Sequence, residues 1–424
     1  MSETATERTD GPAEPAPRSC RLCQRVRQCL RALASLQLTV VLFALSVALV
    51  FFGTVAQIDH GIWTVVEDYF WSWVVWVPFD LFHKFGVVFF DLDRNSYWGG
   101  HFPFPGGKLL GGLMLLNLLA AHLTRFRLTW KRSGILVLHS GLILLFVGEF
   151  VTREFAVEQR MTIDQGQSVN YTEDARFCEL AFTTPGSDRT LERAVVVPQG
   201  LLQKVGSRIV HDDLPVDIRV EEFMPNSTIE KPDGRENRAT AGAGLTNLLV
   251  RRREVAGADT EQRVDMPSAY VTLLKKGTDE SLGTYAVSLF LSEQPVVIDG
   301  VTYDLALRFK RYPKPYTIHL IEFRHDKYLG TEKPKNFSSR VVLLDPDNGV
   351  QREVVISMNN PLRYRGETFY QGGFDPRTGT TTILQVVKNP GWLLPYVSCV
   401  LVSFGMILHF GIYLTQFLLR RAAA

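Results

Sequence analysis

The stretch Trp392-Leu-Leu-Pro-Tyr-Val-Ser-Cys-Val-Leu-Val-Ser-Phe-Gly-Met-Ile-Leu-His-Phe-Gly-Ile-Tyr-Leu-Thr-Gln-Phe-Leu-Leu419 decides the fold. It carries no Asp, Glu, Lys or Arg, and about 20 apolar residues are enough for a helix to cross a bilayer. Working outward, Leu36–Ala56 is a second charge-free run. Leu109–Leu123 is shorter, and Ser133–Phe150 stays free of charge until Glu149. Four transmembrane helices are therefore predicted, three before a long polar region and one after it. Leu36–Ala56 is too long and begins too late for a cleavable signal peptide, so a signal anchor is expected.

Basic residues set the expected orientation. Arg18, Arg21, Arg25, Arg27 and Arg31 precede the first span, and Arg125, Arg127, Lys131 and Arg132 lie between the second and third. Arg420 and Arg421 follow the fourth. The loop from Gln57 to Gly107 is mostly acidic, with Asp59, Glu67, Asp68, Asp80, Asp91 and Asp93 against Lys84 and Arg94. The positive-inside rule puts all three basic clusters in the cytoplasm. Expected domains are a cytoplasmic basic tail over 1–35, a three-helix region over 36–150 with an aromatic loop at 57–107, an extracytoplasmic β-rich domain over 151–390, and the closing helix with a short tail over 391–424. The net charge of +2 gives no electrostatic ground for a nucleic-acid partner.

The polar region reads as strand. Val216–Val220 and Asp304–Phe309 alternate strictly. Tyr270–Leu274, Thr284–Leu291, Ile318–Phe323, Val341–Leu344, Glu353–Met358 and Thr381–Val387 are further candidates. Short runs broken by Gly, Pro, Asp and Asn predict a sandwich or barrel-like domain. In the first loop, Tyr69–Phe79 is intensely aromatic but too short to cross. Trp and Tyr favour the membrane boundary, so an element along the outer leaflet is expected, as an anchor or as a platform for a flat apolar ligand.

Soluble-enzyme signatures are missing: the sequence has no P-loop, no dinucleotide fingerprint, no HExxH and no GxSxG. His211, His319 and His325 are not spaced like zinc ligands. Cys20, Cys23 and Cys29 form a CxxC-containing cluster with no histidine partner, a weak metal signal in a reducing cytoplasmic tail. The notable polar groups are at membrane depth, where an ionisable side chain marks a functional site by default. His139 lies seven residues beyond Arg132, about 10 Å along a helix, and His409 eleven before Arg420, about 16 Å. His122, three residues from Arg125, can snorkel to the interface and ranks third.

Helical faces refine this pair. Gly134, Gly141 and Gly148 recur every seven residues, a small-residue stripe suited to close packing. At 100° per residue His139 points roughly 140–180° away from that stripe, so it addresses something other than the packed neighbour. On the last span Gly405, His409, Tyr413 and Gln416 share one face, too polar for lipid. Such histidines suit axial ligation of haem iron, a proton relay, or a hydrogen bond within a helix bundle.

Two strings then carry a resemblance. Tyr328-Leu-Gly-Thr-Glu-Lys-Pro-Lys-Asn-Phe-Ser-Ser339 and Met358-Asn-Asn-Pro-Leu-Arg-Tyr-Arg-Gly-Glu-Thr-Phe-Tyr-Gln371 resemble the ResB family, also called CcsB, of system II cytochrome c biogenesis. Leu33-Ala-Ser-Leu-Gln-Leu-Thr39 looks like the family's opening, and Leu138-His-Ser-Gly141 like its histidine-bearing third span. Three spans, a large external domain and one closing span are the family's architecture, and the resemblance covers roughly residues 30–420. It implies a multi-pass protein of the inner (cytoplasmic) membrane, working with a CcsA/ResC-like membrane partner to carry haem b outward, transiently held, and to support its attachment to apocytochrome c. By residue match His139 inherits the role of haem-iron ligand, whereas His409 is nominated by depth alone. No catalytic residue is implied, so the chain is expected to be a non-catalytic or co-catalytic subunit of a haem-attaching complex. Trp71, Trp73 and Trp76 are not the tryptophan-rich haem motif, which belongs to the CcsA partner. Arg363-Tyr-Arg365 and Phe369-Tyr370 read either as an external docking surface or as a β-turn and core strand. Rival readings are a b-type electron carrier liganded by His139 and His409, and a non-catalytic assembly or sensor protein.

Overall fold

The computed structural model describes residues 21–93, 96–125, 129–186, 192–255, 265–327, 330 and 334–423. Its helices are α1 (Arg21–Leu33), α2 (Leu36–Ala56), α3 (Ile62–Val65), α4 (Asp80–Phe90), α5 (Gly107–Arg125), α6 (Ser133–Phe155), α7 (Gln199–Leu202) and α8 (Leu394–Ala422). Four of them, α2, α5, α6 and α8, are long and apolar enough to cross a membrane. Two compact units form: one from the residues up to Phe52 with Asp68–Val147 and Pro395–Ala424, the other from Gly53–Glu67 and Gly148–Leu394.

In the helical unit, a single polar residue ties the first and second spans. Asn117 is buried in α5, and its amide donates to the Leu33 carbonyl at 2.5 Å and the Ser35 carbonyl at 3.1 Å. Its own carbonyl accepts from Thr39 at 2.8 Å. Asn117 thereby adds side-chain bonds at the break between α1 and α2, where the Ser35 carbonyl also accepts the first backbone bond of α2 from Thr39 at 3.2 Å and water is scarce. The stripe of Gly134 and Gly141 faces α8. A Cβ at Gly141 would stand 2.8 Å from Val402 Cγ2, and one at Gly405 would stand 2.8 Å from Leu138 Cα. The two helices run antiparallel with backbones almost touching, as small residues at a membrane-helix interface permit.

The aromatic loop is only partly what its composition suggests. Strand β1 (Val74–Pro78) pairs antiparallel with β2 (His101–Pro105), with α4 between them. Alternation gives the hairpin two faces. Val75 and Val77 are buried, while Val74 and Trp76 are 49% and 64% exposed. Below, Phe52 meets Phe104 and Phe82 edge-on with centroids 5.1 and 5.5 Å apart.

The second unit is built from β3 (Val157–Asp164), β4 (Ser168–Pro185), β5 (Glu192–Pro198), β6 (Arg208–Ile209), β7 (Asp217–Met224), β8 (Ser227–Glu230) and β9 (Leu248–Arg251). There follow β10 (Ser268–Leu274), β11 (Ser281–Ser288), β12 (Gln294–Ile298) and β13 (Val301–Lys327). The last are β14 (Pro334–Asp345), β15 (Val350–Ser357), β16 (Leu362–Tyr364), β17 (Glu367–Phe374) and β18 (Thr381–Lys388). Ten strands make one sheet, in the order β15-β14-β13-β4-β3-β18-β17-β16 with β12 on β13 and β5 on β4. A second sheet runs β11-β10-β7-β6, and β8 pairs with β9.

Both predicted architectures are present. Leu180, Phe182 and Leu305 of the large sheet pack with Ile218, Val220 and Val271 of the small one, as in a sandwich. The large sheet also curls on itself: Val341 and Ile356 near one end share a core with Leu362 and Phe369 at the other. Asp304–Phe309 and Ile318–Phe323, expected as two strands, are parts of the single strand β13. Pro313 and Pro315 do not end it. The register with β4 shifts between Pro313 and Ile318, and pairing with β14 begins at Thr317, so neither proline has to donate to a regular ladder there.

Candidate functional site

The glycine contacts fix which histidines meet. Gly134 opens α6 against the backbone of His409, where a Cβ would stand 2.6 Å from His409 Cα. His409 is therefore level with the start of the third span. His139 lies five residues further along α6, about 8 Å deeper. Counting inward from Arg420 had put His409 at similar or greater depth. That ruler fails because α8 runs on to Ala422, well past the first residue of α6.

His139 has a different neighbour. On the face of α6 away from the glycine stripe, its ring lies 5.6 Å from that of His122 on α5, with 56° between the planes. Two imidazoles from adjacent spans are thus brought together, and His409 is not among them. The His409 ring instead sits 4.7 Å from Tyr413 and 5.4 Å from Phe410 of its own helix. Its Nδ1 is buried without a hydrogen-bond partner. The polar strip on α8 divides accordingly: Gly405 is buried against α6, while Tyr413 is more than half exposed.

His122 was legible only as an interfacial residue, since distance from Arg125 measures depth and not facing. The spacing Asn117, Ala120, Thr124 could have signalled a packed face on α5: Asn117 and Ala120 are buried, and Thr124 donates back to the Ala120 carbonyl at 2.7 Å. A further buried histidine, His83, has no sequence signal at all. Its Nε2 lies 2.6 Å from Ser96 Oγ and 3.0 Å from the Asp93 carbonyl, and Nδ1 lies 3.8 Å from Asp80. That arrangement fastens the loop after α4.

The external histidines do not converge. His211 faces Asp213 at 3.7 Å, His319 meets Ser168 Oγ at 3.0 Å, and His325 stacks on Phe337 with centroids 4.6 Å apart. No group of three or more His, Cys, Asp or Glu side chains suited to a metal occurs among the described residues. Of the amino-terminal cysteines, Cys29 is exposed and Cys20 lies outside the described residues. Chemically, the unit offers two imidazoles in an apolar setting, a donor set that fits haem iron.

The string Pro361–Gln371 is a hairpin. Leu362 pairs with Phe369, and both are buried. Arg365 and Gly366 turn the chain with φ of 47° and 76°, the left-handed pair that a two-residue hairpin requires. Arg365 reaches the buried carboxylate of Asp345 at 2.7 Å, and Tyr364 donates to the same group at 2.6 Å. Glu367 accepts from Lys314 at 2.5 Å and from the Tyr316 hydroxyl. Gln371 accepts from Ser339 at 2.7 Å. Burial and the Glu367 carboxylate push the Tyr316 phenol well above its usual range. These residues hold the barrel-like core together. Of the string Tyr328–Ser339, residues 328, 329 and 331–333 lie outside the described residues.

Four apolar helices of spanning length with a large β-rich unit define a membrane protein. Residues 293–383, from the approach to β12 into β18, match the ResB-like family. A stretch of 124 residues is 31% identical to Protein NrfI of Wolinella succinogenes, covering 29% of this chain and 14% of that protein. Residues 293–383 are thus similar to the ResB-like family, and the chain spans only about a seventh of the length of the curated relative it matches. The family match falls on the β-rich unit, hairpin included, and does not extend to the histidine-bearing helices.

Proposed function

We propose that this chain is the haem-handling membrane subunit of a cytochrome c maturation system. Working with a CcsA/ResC-like partner, it would pass haem from the cytoplasmic side outward and support its covalent attachment to apocytochrome c. One observation carries this reading: His139 and His122 stand 5.6 Å apart at membrane depth, on the side of α6 away from the glycine stripe. An imidazole lone pair there can ligate the iron of haem in transit, and the likeness to the ResB family supports haem as cargo. Thioether formation needs reduced cysteines and ferrous haem. The part supported for this chain is to bind and position through His139 and His122.

The test is His139→Ala. Holocytochrome c yield should fall, and added imidazole should partly restore it by replacing the missing ligand. Normal yield would remove the ligand role. The basic clusters support a cytoplasmic position for both termini and an external position for the β-rich unit. A reporter fused after residue 300 should be active outside the cytoplasm, and a cytoplasmic signal there would overturn that topology.

A second reading has one specific observation in its favour. Because two imidazoles of the same chain meet, a resident b-type haem could be held without a partner subunit. A stable haem spectrum from the chain purified alone would favour it.

A further inference from the structure

Strand β5 ends the sheet on one side. It pairs only with β4, through seven residue pairs from Glu179↔Pro198 to Pro185↔Glu192 with no shift of register. In an antiparallel pair, alternate residues turn their N–H and C=O groups outward. No backbone bond outside that ladder involves residues 192–198 among the described residues. Proteins guard such edges with charges, prolines or bulges, because an open ladder is a template for another strand. The middle of β5, Ala194-Val-Val-Val197, carries none of these. β12, which likewise pairs only with β13, is shorter and holds Pro295 within it.

Beside this open edge is a cleft of about 570 Å³. Six consecutive residues of β5, Arg193 to Pro198, line it. Side chains of neighbouring residues on a strand point to opposite faces. A cleft touching all six therefore runs along the backbone edge, not over one face. Its other wall is apolar, with Leu201, Ile209, Val210 and Leu214, and both Leu201 and Val210 are exposed. At the rim His211 and Asp213 engage one another, the Asp213 N–H donating to His211 Nδ1 at 3.2 Å, and Arg193 stands at the end of β5. Among the described residues this leaves a row of outward backbone groups above an apolar wall, the arrangement that an extended polypeptide matches.

We propose that β5 is an acceptor strand: an extended, apolar polypeptide segment adds to its free edge and lays alternate side chains into the cleft. That the segment belongs to the haem-accepting polypeptide rests on the maturation reading above; the strand addition does not.

The full chain in nanodiscs can be titrated with a fluorescein-labelled ten-residue peptide of alternating valine and threonine, read by fluorescence anisotropy. Saturable binding is expected. N-methylation of one alternate set of peptide nitrogens should weaken it roughly tenfold or more, because two or three edge hydrogen bonds are lost, while the other set tolerates methylation. Leu201→Lys together with Val210→Lys, both at exposed positions, should weaken it similarly with an unchanged circular dichroism spectrum. Absence of binding would overturn the proposal, as would binding insensitive to both changes. So would self-association of the chain abolished by the lysine pair, which would make a second copy the occupant of β5. His139→Ala separates the two readings. Peptide binding kept with lost maturation upholds both, and binding kept with normal maturation sinks only the haem reading. Lost maturation in a chain that never bound the peptide sinks only this one.

Discussion

Gly134 and His409 are in backbone contact: a Cβ at Gly134 would stand 2.6 Å from His409 Cα. The third and fourth spans cross here, and the same crossing holds Gly405 against Leu138. A side chain cannot enter without separating two helices whose attraction in lipid is mainly close packing. Gly134→Leu and Gly405→Leu should each destabilise the helical unit by about 1–3 kcal/mol, the usual range for overpacking. Because a Cβ at Gly405 would also stand 2.9 Å from the Gly134 carbonyl, the double variant should lose less than the sum. Thermal unfolding in micelles checks both. Additive losses would mean that the two glycines serve separate contacts.

The same contact sets the three membrane histidines at different places in the helical unit. His122 shares a site with His139, whereas His409 is about 8 Å away along the helix axis. His122→Ala should therefore weaken haem retention on the order of 10–100-fold, the usual effect of removing a group that supports a ligand. His409→Ala should leave the Soret spectrum of the haem-loaded complex unchanged. A spectrum altered by His409→Ala and indifferent to His122→Ala would reverse the assignment.

How much of this was legible beforehand differs between the units. The spans could be read because crossing a bilayer demands long charge-free helices, and few other structures do. The glycine stripe was equally plain, since its seven-residue period fixes a face. Which histidine meets which was not, because depth counted from Arg420 presumes that α8 ends where α6 begins. Several strands were visible from strict alternation, including Val216–Val220 inside the sandwich. β4 escaped notice: its Cys178–Phe182 segment is buried throughout, and alternation disappears when both faces are covered. The hairpin of Pro361–Gln371 was legible as a turn, but the Asp345 partnership was not, since twenty residues separate Arg365 from its carboxylate.

That partnership has a pH signature. Tyr364, Asn348 and Arg365 hold the Asp345 carboxyl below its usual value, chiefly through the Tyr364 hydroxyl. A group with a depressed folded pKa adds stability above its unfolded pKa, about 3.9, and loses it as pH falls through the folded value. The β-rich unit should therefore lose stability as pH drops below about 4. Asp345→Asn should lower stability at pH 7 and flatten the acid limb of the profile. Arg365→Asn, which keeps a residue suited to the left-handed turn, should do less. Denaturant midpoints measured against pH decide this. An unchanged acid limb in Asp345→Asn would mean that other carboxylates set it.

Cys178 is the one cysteine between residues 151 and 390, and its thiol is buried in the sandwich core beside Leu180 and Phe182. Burial pushes its pKa up to about 12. At pH 8 its thiolate fraction is then about 10⁻⁴, and the thiolate is the reactive form. Maleimide should leave Cys178 unmodified in the folded chain and modify it quickly in denaturant, with Cys29 reacting in both. Raising the pH to 9 should speed labelling of the folded protein little, because the buried thiol is inaccessible to the reagent whatever its ionisation. A thiol in this position is withheld from disulfide exchange with cysteines outside the folded unit. Rapid modification of Cys178 at neutral pH in the folded chain would contradict this, and would make the thiol a candidate for disulfide exchange.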